Sequence, residues 1–291
     1  MWWLIVLGSI VVACFAIAVG YSIYQGNHEN LWWQIVATLV GVFAIFGGIF
    51  ADEIKAVFAH EPTASSKNET VGSIITFGGH EWIVLESNDT KQLIITKDCV
   101  DQRAFGHSSD HTWEGSELQS YLNGKWLEAF KSKLSSKDSA RIITGDNIPT
   151  ASNPWFDTVG GGTTQDTVFL LSLSELTDYW GNNAALMTRS VDGIEYWYWN
   201  QLTEEKDKIY YKSNTYIQFA DSKGTVGFSD GFEKDRIANY EKTPCWWWLR
   251  TPGIEPGYIA GVNANGTVDV YGHKVDNKNG GVRPAMWLKA R

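Results

Sequence analysis

Two long apolar runs begin the chain. Residues 1–27 carry no charged side chain, and a second apolar run covers residues 31–51. Each run is long enough to cross a hydrocarbon core of about 30 Å as a helix, and the Trp pair near the start of each run suits a bilayer interface. Because only a short polar loop separates the runs, the pattern predicts a transmembrane helical hairpin over residues 1–58.

Charges around this hairpin predict its orientation. The connecting loop contains no Lys or Arg, whereas Lys55 and Lys67 follow the second run. Positive charge favours the cytoplasmic side, so we expect a two-pass protein of the cell membrane with its larger domain in the cytoplasm. A cleaved signal peptide is the rival interpretation, but the first run lacks a basic start and a second apolar run follows directly. Glycines along the runs favour close helix contacts and a homo-oligomer: Gly8, Gly20, Gly41, Gly47 and Gly48.

Polar residues 59–70 predict a linker to a domain over residues 71–291. Alternating apolar positions begin this domain, and Gly78-Gly79 predicts a turn between its first two strands. The strands are predicted at 73–77, 81–85, 92–96 and 168–171.

Three serines predict helix starts, because each is followed three positions later by Gln, Asp or Glu. Asn123-Gly124 is expected to interrupt the first helix, and Gly181 is expected to end the last one. Strands and helices together predict an α+β fold. Residues 192–235 are rich in aromatic and charged side chains and have the least regular pattern, so we interpret them as an insertion or lid. The three serines are Ser116, Ser135 and Ser172.

Residues 245–253, Cys-Trp-Trp-Trp-Leu-Arg-Thr-Pro-Gly, predict a strand with large aromatic area on both faces. Successive side chains of a strand alternate, so Trp246 and Trp248 point one way and Trp247 the other. A strand of this kind must lie between two layers or beside a pocket.

A hairpin is predicted at residues 257–271. Its three-residue loop, 264–266, places Gly266 at the left-handed position and pairs Asn263 with Thr267. A two-residue turn would mix the two faces of the hairpin. The inner face then holds Ala260, Val262, Val268 and Val270, and the outer face holds Asn263, Thr267, Asp269 and Tyr271. A last strand is predicted at 281–288.

Two roles are open for Arg250, a buried residue of a core strand or a ligand contact. A buried guanidinium requires acceptors. Asn263 and Asp269 of the following hairpin, or a backbone carbonyl, are the expected acceptors.

Charge and cysteine content exclude some classes of protein. The chain has 291 residues and a formal charge of -9. Residues 1–58 hold three acids and one lysine, net -2, which leaves -7 on the rest. An acidic domain without a Lys/Arg cluster disfavours nucleic acid as a partner. No CxxC pattern surrounds the three cysteines, so no metal knuckle or disulfide framework is expected. The cysteines are Cys14, Cys99 and Cys245.

Known catalytic motifs are missing from the sequence. It has no dinucleotide or phosphate loop, no HExxH and no GxSxG, and no cofactor is expected. His107 and His111 are spaced like a metal pair, but the neighbouring Ser and Gly favour a polar loop. Cys245 has apolar neighbours, which favours a buried thiol over a nucleophile. Aromatic and polar residues of the C-terminal region instead predict a ligand-binding surface: Trp248, Arg250, Asn263, Asp269, Tyr271 and His273.

Five sequence blocks, in order, resemble a bacterial family of unknown function that is often membrane-anchored. The family pattern contains W-W-L-R-S-P-G, V-N-x-D-G-x-V and G-V-R-P-A-L-W-L, so Thr251 and Asn265 depart from it. That family resembles C-type-lectin-fold proteins, a group that includes formylglycine-generating enzymes and the variable receptor proteins of diversity-generating retroelements. The resemblance implies a C-type-lectin-like domain whose Trp strand and hairpin bind a ligand. The blocks are FGGHEWIVL (77–85), VFLLS (168–172), WWWLRTPG (246–253), VNANGTV (262–268) and GVRPAMWL (281–288).

Three hypotheses of function follow. The first is a membrane-anchored, non-catalytic binding or sensing module for a protein or a small molecule. The second, implied by the resemblance, is an oxidase related to formylglycine-generating enzymes, with Cys245 and Cys99 as reactive thiols. The third is a structural membrane oligomer assembled through the hairpin at residues 1–58. The missing catalytic motifs favour the first.

Overall fold

A computed structural model describes most of the chain from residue 69 to residue 291. The predicted hairpin at 1–58 and most of the predicted linker lie outside the described residues. Those residues are 69–107, 112–187, 189–190, 196–199, 206–221 and 224–291.

The described part of the chain is mostly β-sheet, with few and short helices. Its longest helix is Leu173–Trp180, and none of its helices is long and apolar enough to cross a membrane. This finding corrects the predicted fold class, which set an α+β domain behind a transmembrane hairpin, and the predicted two-pass membrane location with a cytoplasmic domain. Mixed α+β structure is compatible with the described elements, but the hairpin has no support.

Short strands make up most of the regular structure. The strands are β1 (Ile74–Phe77), β2 (His80–Ser87), β3 (Lys91–Thr96), β4 (Asp101–Gln102), β5 (Asp146–Pro149), β6 (Thr163–Asp166), β7 (Tyr196–Trp199), β8 (Lys206–Lys212), β9 (Ile217–Asp221), β10 (Gly224–Ser229), β11 (Ala238–Tyr240), β12 (Thr243–Cys245), β13 (Trp247–Pro252), β14 (Tyr258–Val262), β15 (Val268–Lys274), β16 (Gly281–Val282) and β17 (Ala285–Lys289). The α-helices are α1 (Glu117–Tyr121), α2 (Leu127–Lys131), α3 (Ser136–Ser139), α4 (Leu173–Trp180), α5 (Asn183–Met187) and α6 (Glu233–Arg236).

Most of these strands form two sheets. The smaller sheet has the order β1-β2-β3-β17, and the larger has the order β4-β16-β13-β14-β15-β10-β9-β8-β7. Strand β13 carries the Trp residues and pairs in parallel with β16 and antiparallel with β14. The Trp strand therefore lies inside the larger sheet, and both of its faces are buried.

The first three predicted strands are confirmed as β1, β2 and β3. The turn between β1 and β2 uses Gly78 and Gly79, whose φ angles are +60° and +79°. A side chain at Gly78 would also overlap the ring of Phe130, so the turn packs directly on the core.

All three predicted helix starts are confirmed, since each Ser hydroxyl accepts the backbone N–H three residues on. Asn123-Gly124 interrupts the first helix as predicted, because it lies in a π-helical turn, Leu122–Trp126, between α1 and α2. The wider turn has a physical reason. Buried residues recur at a spacing of four, which would drift around a regular α-helix and is realigned by the π turn. These residues are Leu118, Leu122, Trp126 and Phe130.

Two predicted strands need correction. Residues 168–171 are buried, but they form only an isolated bridge between Phe169 and Ala285. The predicted last strand at 281–288 is divided into β16 and β17, which belong to different sheets. Pro284 lies at the break, where its missing N–H prevents continuous pairing.

Residues 192–235 were expected to form an insertion or a lid. Where they are described, they contain β7 to β10, which extend the larger sheet beyond β15. Gly227 pairs with Asp269, and a side chain at Gly227 would lie 2.2 Å from the carbonyl oxygen of Val268. Glycine therefore permits the close approach of β10 to the predicted hairpin.

Candidate ligand-binding site

The Trp strand supports the site from the core. Trp247 and Trp248 are completely buried, and their indole N–H groups donate to the carbonyls of Arg236 and Arg103. Trp246 precedes the strand, and its ring lies edge-on to Trp248 with centroids 4.6 Å apart, as the predicted alternation requires. Trp248, a predicted ligand-binding residue, is thus placed beneath the surface.

Arg250 is 1% exposed and has a complete set of acceptors. Its guanidinium donates to both carboxylate oxygens of Glu175 and to the carbonyls of Pro149 and Leu170. Of the expected acceptors, a backbone carbonyl is confirmed, whereas Asn263 and Asp269 are wrong. Since its donors are engaged inside the domain, the structure places Arg250 away from the predicted ligand-binding surface and in the core.

The hairpin of β14 and β15 has the predicted register. Val262 pairs with Val268, the backbone N–H of Asn263 donates to the Thr267 carbonyl at 2.8 Å, and Gly266 has a φ of +84°. The three-residue loop is confirmed. As expected, the inner face is buried and the outer-face side chains are partly exposed.

The tip of this hairpin is fixed by Arg236. Its Nε donates to the carbonyl of Gly266 at 2.8 Å, and its guanidinium pairs with Asp230 at 2.5 Å, both side chains being fully buried. A buried ion pair with full hydrogen bonding gives a rigid anchor for the tip.

An open cleft of about 290 Å³ lies on the outer face of the hairpin. Three predicted ligand-binding residues, Asn263, Asp269 and Tyr271, line it together. Strands β9 and β10, which continue the same sheet beyond β15, supply the rest of its lining. Its lining residues are Phe219, Asp221, Val226, Gly227, Asn263, Asn265, Thr267, Val268, Asp269 and Tyr271.

Asp269 and His273 lie side by side as a partly buried pair. The two side chains are 18% and 26% exposed, and the His273 Nε2 lies 3.4 Å from an Asp269 carboxylate oxygen. The other carboxylate oxygen accepts the backbone N–H of Gly272 at 2.8 Å. Burial raises the pKa of Asp269, with His273 opposing this, and burial lowers the pKa of His273, with Asp269 opposing this. The cost of burying both charged forms outweighs their mutual attraction.

His273 connects this cleft to the Trp strand. Its ring stacks on Trp246 with centroids 3.8 Å apart and an interplanar angle of 26°. Trp246 in turn contacts Trp248, so ring contacts run from the core to Asp269. The predicted site residues Trp248 and His273 do not line the cleft, and His273 is connected to it through Asp269.

Tyr271 belongs to an aromatic cluster beside the cleft. Its ring lies edge-on to Phe156, at 6.2 Å, and to Tyr258, at 5.6 Å. This edge-on packing holds the ring of Tyr271 in a fixed orientation beside the cleft.

Sequence analysis missed Asp221, which lies in the cleft on β9. The segment that contains it was interpreted as an irregular insertion. A usable signal was present, because Gly224 follows a polar stretch between two short apolar-alternating runs, which is typical of a hairpin. It is β9 and β10 that flank this stretch.

Cys99 and Cys245, the two thiols of the oxidase hypothesis, are in contact. Their sulfur atoms are 3.3 Å apart, and each residue is 8% exposed. The cysteines are 146 positions apart along the chain, so no local pattern pointed to their meeting.

His107 is exposed and lies 3.5 Å from Glu117 at the edge of a second concavity of about 410 Å³. Its predicted partner His111 lies outside the described residues. Within the described ranges, no group of three or more His, Cys, Asp or Glu is placed to hold a metal ion.

Comparison with known proteins identifies the family. Residues 89–290 match DUF6273, a domain of unknown function. The match covers more than half of the chain, and the chain belongs to this family. Neither the curated proteins nor the solved structures contain a match to the chain.

Proposed function

We propose that this domain is a non-catalytic binding or sensing module that holds its ligand in the cleft lined by the β14–β15 hairpin and by β9 and β10. One observation carries the proposal: Asn263, Asp269 and Tyr271 converge in one open cleft on a rigid support. Their side chains combine an amide, a carboxylate and an aromatic ring, the groups that recognition sites use.

The chemistry of the cleft indicates the class of ligand. Asp221 and Asp269 are both carboxylates, and none of the described lining residues is a Lys or Arg. The cleft is at the small end of ligand pockets, which measure roughly 300–1,000 Å³. A small polar molecule with amine or hydroxyl donors is therefore the ligand that complements it best.

The resemblance to C-type-lectin-fold proteins supports the location of the cleft, because ligands bind such proteins at the corresponding strand and hairpin. It does not support calcium-dependent sugar binding, since residues 255–257 are Glu-Pro-Gly in place of the Glu-Pro-Asn of those lectins. The proposal rests on the contacts of the cleft and needs no metal.

A binding screen tests the proposal. The full chain is titrated calorimetrically with a panel of amino sugars, simple polyols and primary amines. A ligand from the panel should lose at least tenfold in affinity with Asn263→Ala or Asp269→Asn. Asn279→Ala is the matched control, because Asn279 is exposed and does not line the cleft. Equal binding by all three variants would contradict this site.

A second candidate function is an oxidase that uses Cys245, and the contact of Cys245 with Cys99 favours it. Against it, both thiols are almost buried, and neither lines the cleft. Alkylation followed by mass spectrometry separates the two functions. Cys245 is 8% exposed, so it should react far more slowly with a bulky alkylating agent in the folded protein than a free thiol does, whereas an equal rate would favour the oxidase.

A further inference from the structure

Two cysteines from distant parts of the chain are held side by side by β11. The backbone N–H of Cys99 donates to the Asn239 carbonyl at 2.9 Å, and Cys245 pairs with Ala238 in the β11–β12 ribbon. The sulfurs are 3.3 Å apart and share a hydrogen bond. Backbone contacts thus fix both thiols against each other.

The space around the sulfurs depends on Gly281. A Cβ atom at this position would lie 2.7 Å from the sulfur of Cys99 and 3.1 Å from that of Cys245. Both distances are shorter than an ordinary contact. Glycine therefore lets the two sulfurs meet, and no side chain separates them.

The pair is chemically asymmetric. The hydrogen bond between the two thiols lowers the pKa of Cys245, while the same bond and burial raise the pKa of Cys99. The buried guanidinium of Arg283 also favours thiolate at both positions. Its Nη2 has no hydrogen-bond partner among the described residues. Cys245 is therefore the thiol that ionises first, and Cys99 is placed to react with it next.

We propose that Cys99 and Cys245 are an oxidation site, which a small peroxide converts into an intramolecular disulfide. The Cys245 thiolate attacks one oxygen of hydrogen peroxide, giving a sulfenic acid and releasing hydroxide, which takes up the thiol proton to form water. The Cys99 thiol then attacks the sulfenic sulfur, and the second oxygen leaves as water. In sum, two thiols and one peroxide give one disulfide and two waters. This site is independent of the proposed ligand cleft.

Little movement is needed for this reaction. A disulfide has an S–S length of about 2.05 Å, so the sulfurs must approach by about 1.2 Å. The new bond would close a loop that spans 146 positions. Long closed loops restrict the unfolded chain most, so the oxidised protein should melt several degrees higher than the reduced protein, on the order of 5 °C.

Peroxide treatment of the full chain tests the proposal. The reduced protein receives an equimolar amount of hydrogen peroxide, is quenched with an alkylating agent under denaturing conditions, and is digested for mass spectrometry. The expected product is a peptide pair linked through Cys99 and Cys245, formed at least tenfold faster than in urea-unfolded protein, with a higher melting temperature. The disulfide should be reversed by dithiothreitol.

Variants separate this site from nonspecific oxidation. Cys14→Ser is the matched control and should give the same linked peptide at the same rate. Cys99→Ser should stop at oxidised Cys245 without a linked peptide. The proposal would be overturned if folded wild-type protein kept both thiols alkylatable, if the linked peptide contained Cys14, or if folded and unfolded protein reacted equally fast. Because the decisive readout uses wild-type protein, a variant that fails to fold does not weaken the test.

Discussion

The guanidinium of Arg250 forms a two-pronged pair with Glu175, and the same carboxylate caps helix α4. Nη2 of Arg250 donates to Oε1 of Glu175 at 2.8 Å, while Oε2 accepts from Nη1 and, at 2.8 Å, from the backbone N–H of Ser172. One carboxylate thus connects the Trp strand to the start of α4. This arrangement makes Arg250 a structural residue.

Removing the guanidinium should destabilise the domain. Arg250→Ala leaves Glu175 and the carbonyls of Pro149 and Leu170 without their donor, and breaking a buried pair costs about 3 kcal/mol or more. Urea unfolding should show this loss as a lower midpoint. Lys97→Ala is the control, because its pair with Glu81 is exposed, and it should leave the midpoint unchanged. A stable Arg250→Ala protein would contradict the structural role.

Truncation of Asn263 should weaken ligand binding while leaving the stability of the domain nearly unchanged, the opposite of what is expected for Arg250. Its amide donates to the Thr267 hydroxyl at 3.0 Å on the outer face, and losing such a bond costs about 1 kcal/mol. Asn263→Ala should therefore unfold close to wild type, yet bind the cleft ligand at least tenfold more weakly. A badly unfolded Asn263→Ala protein beside a stable Arg250→Ala protein would reverse the two assignments.

Gly266 should be intolerant of any side chain. Its φ is +84°, and a Cβ there would lie 2.0 Å from the carbonyl oxygen of Glu233. Gly231 is a matched control, because its φ is +86° and nothing lies within 4 Å of a Cβ at that position. Gly231→Ala should cost about 1–2 kcal/mol of stability for its backbone conformation, and Gly266→Ala roughly 1–3 kcal/mol more for the overlap. Equal losses in urea unfolding would show that the tip does not pack on α6.

Asp269 and His273 should give the stability of the domain a pH dependence with two opposed parts. Because the pKa of Asp269 is raised in the folded state, Asp269 contributes its full stability below its ordinary pKa of 3.8. This contribution is lost as pH rises through the raised pKa. The lowered pKa of His273 acts in the other direction, so stability is lost as pH falls below 6.5.

Asp269→Asn should remove the loss of stability that Asp269 causes as pH rises. The amide oxygen can still accept the Gly272 N–H, but no charge is buried as pH rises. The free energy of unfolding of the variant, relative to that of wild type, should therefore increase as pH is raised from 4 to 7. His273→Gln should remove only the loss on the acid side. Parallel curves for wild type and Asp269→Asn would contradict the raised pKa.

Local features of the fold were predictable from sequence. The hairpin register followed from Gly266 and from the positions of Val262 and Val268. Turn length and the two-residue period of a strand determine which side chains lie on the same face of a hairpin. The capping box of Ser172 and Glu175 followed equally from a spacing of three. Such features depend on neighbours in the chain.

Long-range contacts were not predictable in the same way. Glu175 lies 75 positions before Arg250, and its acidic side chain was already explained as a helix cap. Asp221 enters the cleft only because β10 pairs with β15. The nearer residues Asn263 and Asp269 were therefore chosen as partners of Arg250 on proximity in sequence. Only the fold shows that they face a cleft on the other side of the hairpin.

Hydrogen–deuterium exchange of the full chain, with and without the tightest binder from the panel of amines, amino sugars and polyols, tests the cleft most directly. Protection should appear together in peptides covering 217–229 and 262–272, which contain the residues that line the cleft, and it should be lost in Asp269→Asn. Protection confined to peptides covering 102–118, beside the second concavity, or protection that persists in Asp269→Asn, would contradict ligand binding at this cleft.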